Sequence, residues 1–320
     1  MTDIDLHAFA PSGERAIALD ARFHRELASS LTHLAEACSE DETLSKPLRQ
    51  AAERLAANRR VPPLFFKTYF EIAGALFEED ASWARELAGR LETLPDRPAE
   101  RLLHAYGDGS AVPLEDALGR DGDVDLAEVP GDTASAFATL LDEGFAMMAE
   151  AIPGLHAEIN QTVREVLLAH SPAGVDFEFD GASHYQFWGL LLLNPKHHKT
   201  PLACVEVLAH EASHSLLFGL TIEEPLVFNP DEELYVSPLR PDPRPMDGIY
   251  HATYVSARMA WAMERMAEAL SGPERDIALK AAAHDRANFE KGHGTVLRDG
   301  RLSDTGAAIM AAAEAAMKAT

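Results

Sequence analysis

PLACVEVLAHEASHSLLFGL, residues 201–220, has the period of a helix. Leu202, Val205, Ala209, Ala212 and Leu216 recur at steps of three and four and form an apolar stripe. His210 and His214 lie four residues apart, so they project from one face one turn apart, about a quarter turn from that stripe. His210-Glu211-Ala212-Ser213-His214 is therefore an HExxH placed where a core meets a cavity, and two imidazoles at this spacing can bind one divalent ion.

On either side the pattern stays mostly helical. Residues 14–106 read as a run of helices, with Leu27, Leu31, Leu34 and Ala35 at helical spacing and Pro62-Pro63 opening a further helix. Residues 107–131 are rich in Gly, Pro and Asp and read as a surface linker or long loop. Helices are expected at 133–150 and 155–170. Val175 to Asp180 alternates apolar and polar residues, a strand signal, and Gln186 to Leu193 suits a buried strand. A short strand is expected at Leu234–Val236, and helices near 248–270, 273–291 and 303–318. The fold class predicted is mainly α (α+β): multi-helical, with a small β-sheet in the C-terminal half and an HExxH helix. Two parts are expected: an N-terminal helical region, 1–131, that could bind a peptide, and a metal-binding domain, 132–320.

The chain has 320 residues, 47% hydrophobic and 25% charged, which suits a globular protein of one large or two medium domains. With 28 basic and 52 acidic residues its formal charge is −24, a balance that repels phosphate backbones and anionic lipid and argues against nucleic-acid and membrane partners. Two cysteines, Cys38 and Cys204, are too few for a disulfide scaffold. No signal-peptide pattern precedes the first helix, so a cytoplasmic location is expected.

A metal site needs a third ligand. Leu217 and Leu220 stand where the metzincin extension has Gly and His, so that class is excluded. Glu233, 18 residues beyond the motif, would make a zinc peptidase, with Glu211 as the base that activates the metal-bound water. The other candidate is His251, at the start of a helix that follows a stiff Pro-rich segment carrying Arg240 and Arg244.

HEASH followed by SPLRPDPRPMDGIYHATYVSARM resembles the HExxH-motif family of ribosomal-peptide biosynthesis clusters, understood as iron(II)- and 2-oxoglutarate-dependent peptide β-hydroxylases. The resemblance covers residues 180–270 well and the N-terminal helices loosely. It implies that His210, His214 and His251 bind Fe(II), and that Arg240, Arg244 or Arg258 holds the distal carboxylate of 2-oxoglutarate. Glu211 then orients a ligand or water, and Glu206, one turn before His210, is a further candidate for such support. His184, Tyr185 and Trp188 are expected to line a groove for a precursor peptide, and O2 is the co-substrate. The alternative reading remains a zinc metallopeptidase with a downstream Glu.

Overall fold

The computed structural model describes residues 4–121, 125–175, 178–237 and 242–319. Among them it forms eleven helices and six short strands, a mainly α architecture with a little β. No described helix is long and apolar enough to cross a membrane. The chain divides into two compact units that interleave along the sequence. One gathers residues 1–17, 136–161 and 197–320, and the other residues 18–135 and 162–196. The division expected at residue 131 followed composition, whereas compactness regroups the chain around long-range contacts.

The second of these units carries most of helix α1 (Gly13–Ala37) and the whole of α2 (Glu42–Ala56), α3 (Pro63–Phe77) and α4 (Ala81–Thr93). Asp41 and Asp80 cap α2 and α4 by accepting the amides of Thr43 (3.1 Å) and Trp83 (3.0 Å). Its sheet comprises β1 (Leu102–Ala105), β2 (Glu165–Leu168), β3 (Gly181–Ser183) and β4 (Leu190–Leu193), in the order β1-β2-β4-β3. The first three strands of that order run parallel and β3 closes the edge antiparallel. Helix α5 (Val112–Asp121) packs Leu114 and Ala117 against Leu167, Leu190 and Leu192.

Four expectations change here. The composition of 107–131 hides α5, whose Leu114, Ala117 and Leu118 supply an apolar face after Pro113. The expected helix 155–170 ends at Thr162, in α7 (Pro153–Thr162), and gives way to β2. β1 falls inside the stretch read as wholly helical, and places one strand of the sheet in the N-terminal half. Leu102-Leu103-His104-Ala105 and Glu165-Val166-Leu167-Leu168 are short runs whose period does not separate strand from helix, and pairing with each other decides. The alternation at Val175–Asp180 yields no strand at 175 or 178–180, with 176–177 outside the described residues; the strand forms just after, as β3, because its register with β4 lies there.

The other unit holds α6 (Gly131–Ala151, mostly), α7, α8 (Pro201–Leu220), α9 (Met246–Ala269), α10 (Gly272–Asp299) and α11 (Asp304–Ala319), with a two-stranded ribbon of β5 (Leu234–Tyr235) and β6 (Arg244–Pro245). Thr200 caps α8 by accepting the amide of Ala203 at 3.2 Å, and Pro201 opens its first turn. α6 passes α8 closely at Gly144, where an added Cβ would lie 2.9 Å from the Pro201 carbonyl oxygen and 3.1 Å from Cys204 Cβ. A backbone carbonyl cannot swing aside. Gly144→Ala should therefore cost about 1–3 kcal/mol of stability, read as a lowered urea midpoint with an unchanged m-value.

Candidate metal centre

Helix α8 puts His210, Glu211 and His214 in place, and α9 brings His251 and Met259 to them. His214 Nε2 lies 3.2 Å from His210 Nε2, and His214 Nδ1 lies 3.1 Å from His251 Nδ1. His210 Nδ1 lies 3.1 Å from Met259 Sδ. Residue 210 meets 259 while 214 meets 251, so the two helices run past each other in opposite directions. His214 and His251 stack, with ring centroids 5.3 Å apart and planes 15° from parallel. Phe218 closes one side of His251 at 5.5 Å. The side chain of His210 is about a third exposed, so the cluster opens to solvent at that end.

Burial, and then the neighbouring rings of His210 and His251, hold His214 well below the ordinary histidine pKa. Burial does the same to His251, with Asp247 opposing it. These two rings are neutral near pH 7, with lone pairs available for a cation. Glu211 is buried, and its Oε1 lies 3.8 Å from His210 Nε2. Asp247 Oδ1 lies 3.9 Å from His251 Nε2. Met259 escapes a sequence reading, because its approach to His210 depends on how α9 lies along α8, whereas Asp247 stands one turn before His251 on α9 itself.

The donors form a row, from Met259 through His210 and His214 to His251. His214 turns a different nitrogen to each neighbour. For that reason no three His, Cys, Asp or Glu donors among the described residues already converge on one cation position. The donor set nevertheless fits a divalent metal in kind: three imidazoles, with the buried Glu211 carboxylate beside His210. The separations of 3.1 and 3.2 Å bring the three rings together, but they run to different nitrogens of His214, and an imidazole binds a given ion through one nitrogen only. Seating one ion on all three rings requires them to reorient until one nitrogen of each faces a common point.

The other expected residues separate. Arg240 lies outside the described residues. Arg244 sits on β6, two residues before α9, half-exposed, with Nε 2.7 Å from Asp242 Oδ2. Arg258 is fully buried and already committed: it donates to Glu158, to the Phe9 carbonyl at 2.7 Å and to Ser213 Oγ at 3.3 Å. It braces the HExxH helix and is unsuited to the cosubstrate role expected of it. Glu233 is exposed and accepts from Tyr235 Oη at 2.6 Å and Arg301 at 2.9 Å, so its carboxylate is held in a surface network. Burial raises the carboxyl pKa of Glu206, opposed by His284. Cys204 is buried, its thiol pushed up to about 12 by desolvation, as a small core residue would be.

His184, Tyr185 and Trp188 belong to the sheet-bearing unit. Trp188 stacks on Phe23 at 4.1 Å and donates to Asp20 at 3.0 Å; it is 3% exposed and cannot line an open groove. Tyr185 packs against Phe23 and Phe70, both at 5.6 Å. His184 packs edge-on to Phe187 at 5.9 Å and accepts the Gln186 amide at 3.2 Å. No protein-family model matches this chain, and no curated protein matches it.

Proposed function

We propose that the chain is an Fe(II)- and 2-oxoglutarate-dependent oxygenase that hydroxylates the β-carbon of a side chain in a ribosomally made peptide. The observation that carries this reading is the meeting of His251 with the HExxH pair, the third histidine that the family resemblance requires. Fe(II), 2-oxoglutarate and O2 would supply the oxidising power, with the oxo acid leaving as succinate and CO2. His210, His214 and His251 would hold the metal as imidazole ligands. Arg244 is the described arginine free enough of the core to meet the distal carboxylate of the oxo acid, exchanging Asp242 for it. Glu211 would orient His210 from its buried position. The same acidic, cysteine-poor chain suits a reducing cytoplasm, the proposed compartment. A zinc peptidase is less well supported, since its candidate ligand Glu233 is engaged by Arg301 and Tyr235.

The test is an anaerobic titration. Fe(II) should bind at one equivalent, and 2-oxoglutarate added afterwards should raise a weak visible charge-transfer band. A protein that binds Fe(II) without the band, or retains only zinc and cuts peptides, would overturn the proposal.

A further inference from the structure

A second cluster of reactive side chains lies in the sheet-bearing unit, and the oxygenase reading makes no use of it. His104 lies on β1, and its Nδ1 is 3.2 Å from Ser110 Oγ. Its Nε2 is 3.8 Å from Glu165 Oε2 on β2. The register pairs Leu102 with Glu165 and His104 with Leu167, so His104 and Glu165 share one face of the sheet. Ser110 is exposed, His104 half-buried and Glu165 buried. The serine thus stands in water with a histidine behind it and a carboxyl behind that.

The backbone serves the same end. Ser110 lies between a parallel strand and a helix, on the turn joining β1 to α5. That turn is made by Gly107 and Gly109, at φ 87° and 81°, a conformation that L side chains rarely adopt. At Gly107 an added Cβ would also meet Glu128 Cγ at 2.7 Å. Strand, glycine turn, serine and helix is the arrangement that exposes a nucleophile while its base is held on the sheet. The Val112 amide, in the first turn of α5, has no acceptor within the helix and faces the end of the element where partial positive charge gathers.

From this geometry we infer that Ser110, His104 and Glu165 form an acyl-transfer site that hydrolyses short-chain carboxylic esters. Ser110 Oγ bonds to the ester carbonyl carbon while its proton passes to His104 Nδ1. The C–O bond to the alcohol then breaks, and the alcohol leaves with that proton. Water attacks the acyl-serine and gives a proton to His104; the bond from the acyl carbon to Ser110 Oγ then breaks, His104 returns that proton to Oγ, and the carboxylic acid leaves. Ser110 and His104 are the catalytic residues. Glu165 is a positioning residue that holds the imidazole and stabilises the imidazolium formed beside it. Burial lowers the His104 pKa, which leaves a neutral ring to accept a proton, and pushes the Glu165 carboxyl up to about 7, where a neighbouring imidazolium would draw it into the ionised form.

The experiment uses the full chain with a fluorophosphonate probe and with 4-nitrophenyl acetate. The probe should label Ser110, as read by peptide mapping, and Ser110→Ala, an exposed and conservative change, should abolish both labelling and turnover. His104→Gln should slow turnover by on the order of 10²–10³-fold. Glu165→Gln should lower kcat with KM unchanged, a split that simple loss of folded protein would not give. An unlabelled wild type, a label on another residue, or Ser110→Ala hydrolysing at the wild-type rate overturns the inference.

Discussion

His214→Ala is expected to lower the affinity for Fe(II) by more than about 100-fold, measured by anaerobic calorimetric titration with circular dichroism as the control for folding. His214 is the centre of the row. Its two nitrogens lie 3.2 Å from His210 and 3.1 Å from His251, so its loss leaves two end ligands with no ring between them. His210→Ala and His251→Ala each remove one end and should leave a weaker, two-imidazole site. Proton competition cannot mimic this result at pH 7, because burial already holds His214 and His251 below the ordinary histidine pKa. Glu211→Gln separates the two chemistries. In an oxygenase the metal and the charge-transfer band survive with affinity reduced by at most about 10–100-fold, since the residue orients a ligand. In a zinc peptidase the same change removes the base and ends peptide cleavage. An affinity for Fe(II) unchanged in His214→Ala would remove the three-histidine site altogether.

The parts of this molecule that were legible in the sequence are those set by local chemistry. Thr200 and Pro201 announce the start of α8 and the 3.6-residue period carries it to Leu220; the same period gives α9 and α11, and α10 as far as residue 291, past which that helix runs on to Asp299. His210 and His214 follow from that period alone. His251 stood beside Glu233 as a candidate third ligand and the resemblance favoured it, because nothing local ties residue 251 to residue 214. The strands β1 and β2 were obscured for a different reason. Runs as short as Leu-Leu-His-Ala and Glu-Val-Leu-Leu fit a helix or a strand equally, and the choice is made by a partner about sixty residues away. α5 was masked by its surroundings, where Gly, Pro and Asp of the flanking turns outweigh one short apolar face. Trp188 shows the limit of reading aromatic residues near a motif: nearness in sequence suggested a groove, while Phe23 and Asp20 place its ring in a core.

Arg258 illustrates the same limit with larger energetic consequences. An arginine two turns beyond His251 on the same helix looks available for a carboxylate, but Glu158, 100 residues earlier, is already that carboxylate. Arg15 reaches the same Glu158 at 2.6 Å, and all three side chains are 1% exposed. Two guanidinium groups thus share one buried carboxylate, and Arg15 Nε has no hydrogen-bond partner among the described residues. The Ser12 amide adds a bond to Glu158 at 3.0 Å, and Ser213 inside the HExxH takes one from Arg258 at 3.3 Å, so the cluster ties the N-terminal segment and the motif helix to α7 and α9. Glu158→Gln keeps the shape but leaves two like charges buried without a counterion. It is expected to destabilise the fold by about 3–5 kcal/mol, seen as a large fall in the urea midpoint. The cause can be isolated by removing every charge at once. Arg15→Met, Glu158→Leu and Arg258→Met combined should recover most of the loss, because apolar side chains of similar volume have no desolvation to offset. If the triple variant is as unstable as Glu158→Gln, the cost lies in packing and the backbone contacts to Ala8 and Phe9, and the electrostatic account of this cluster fails.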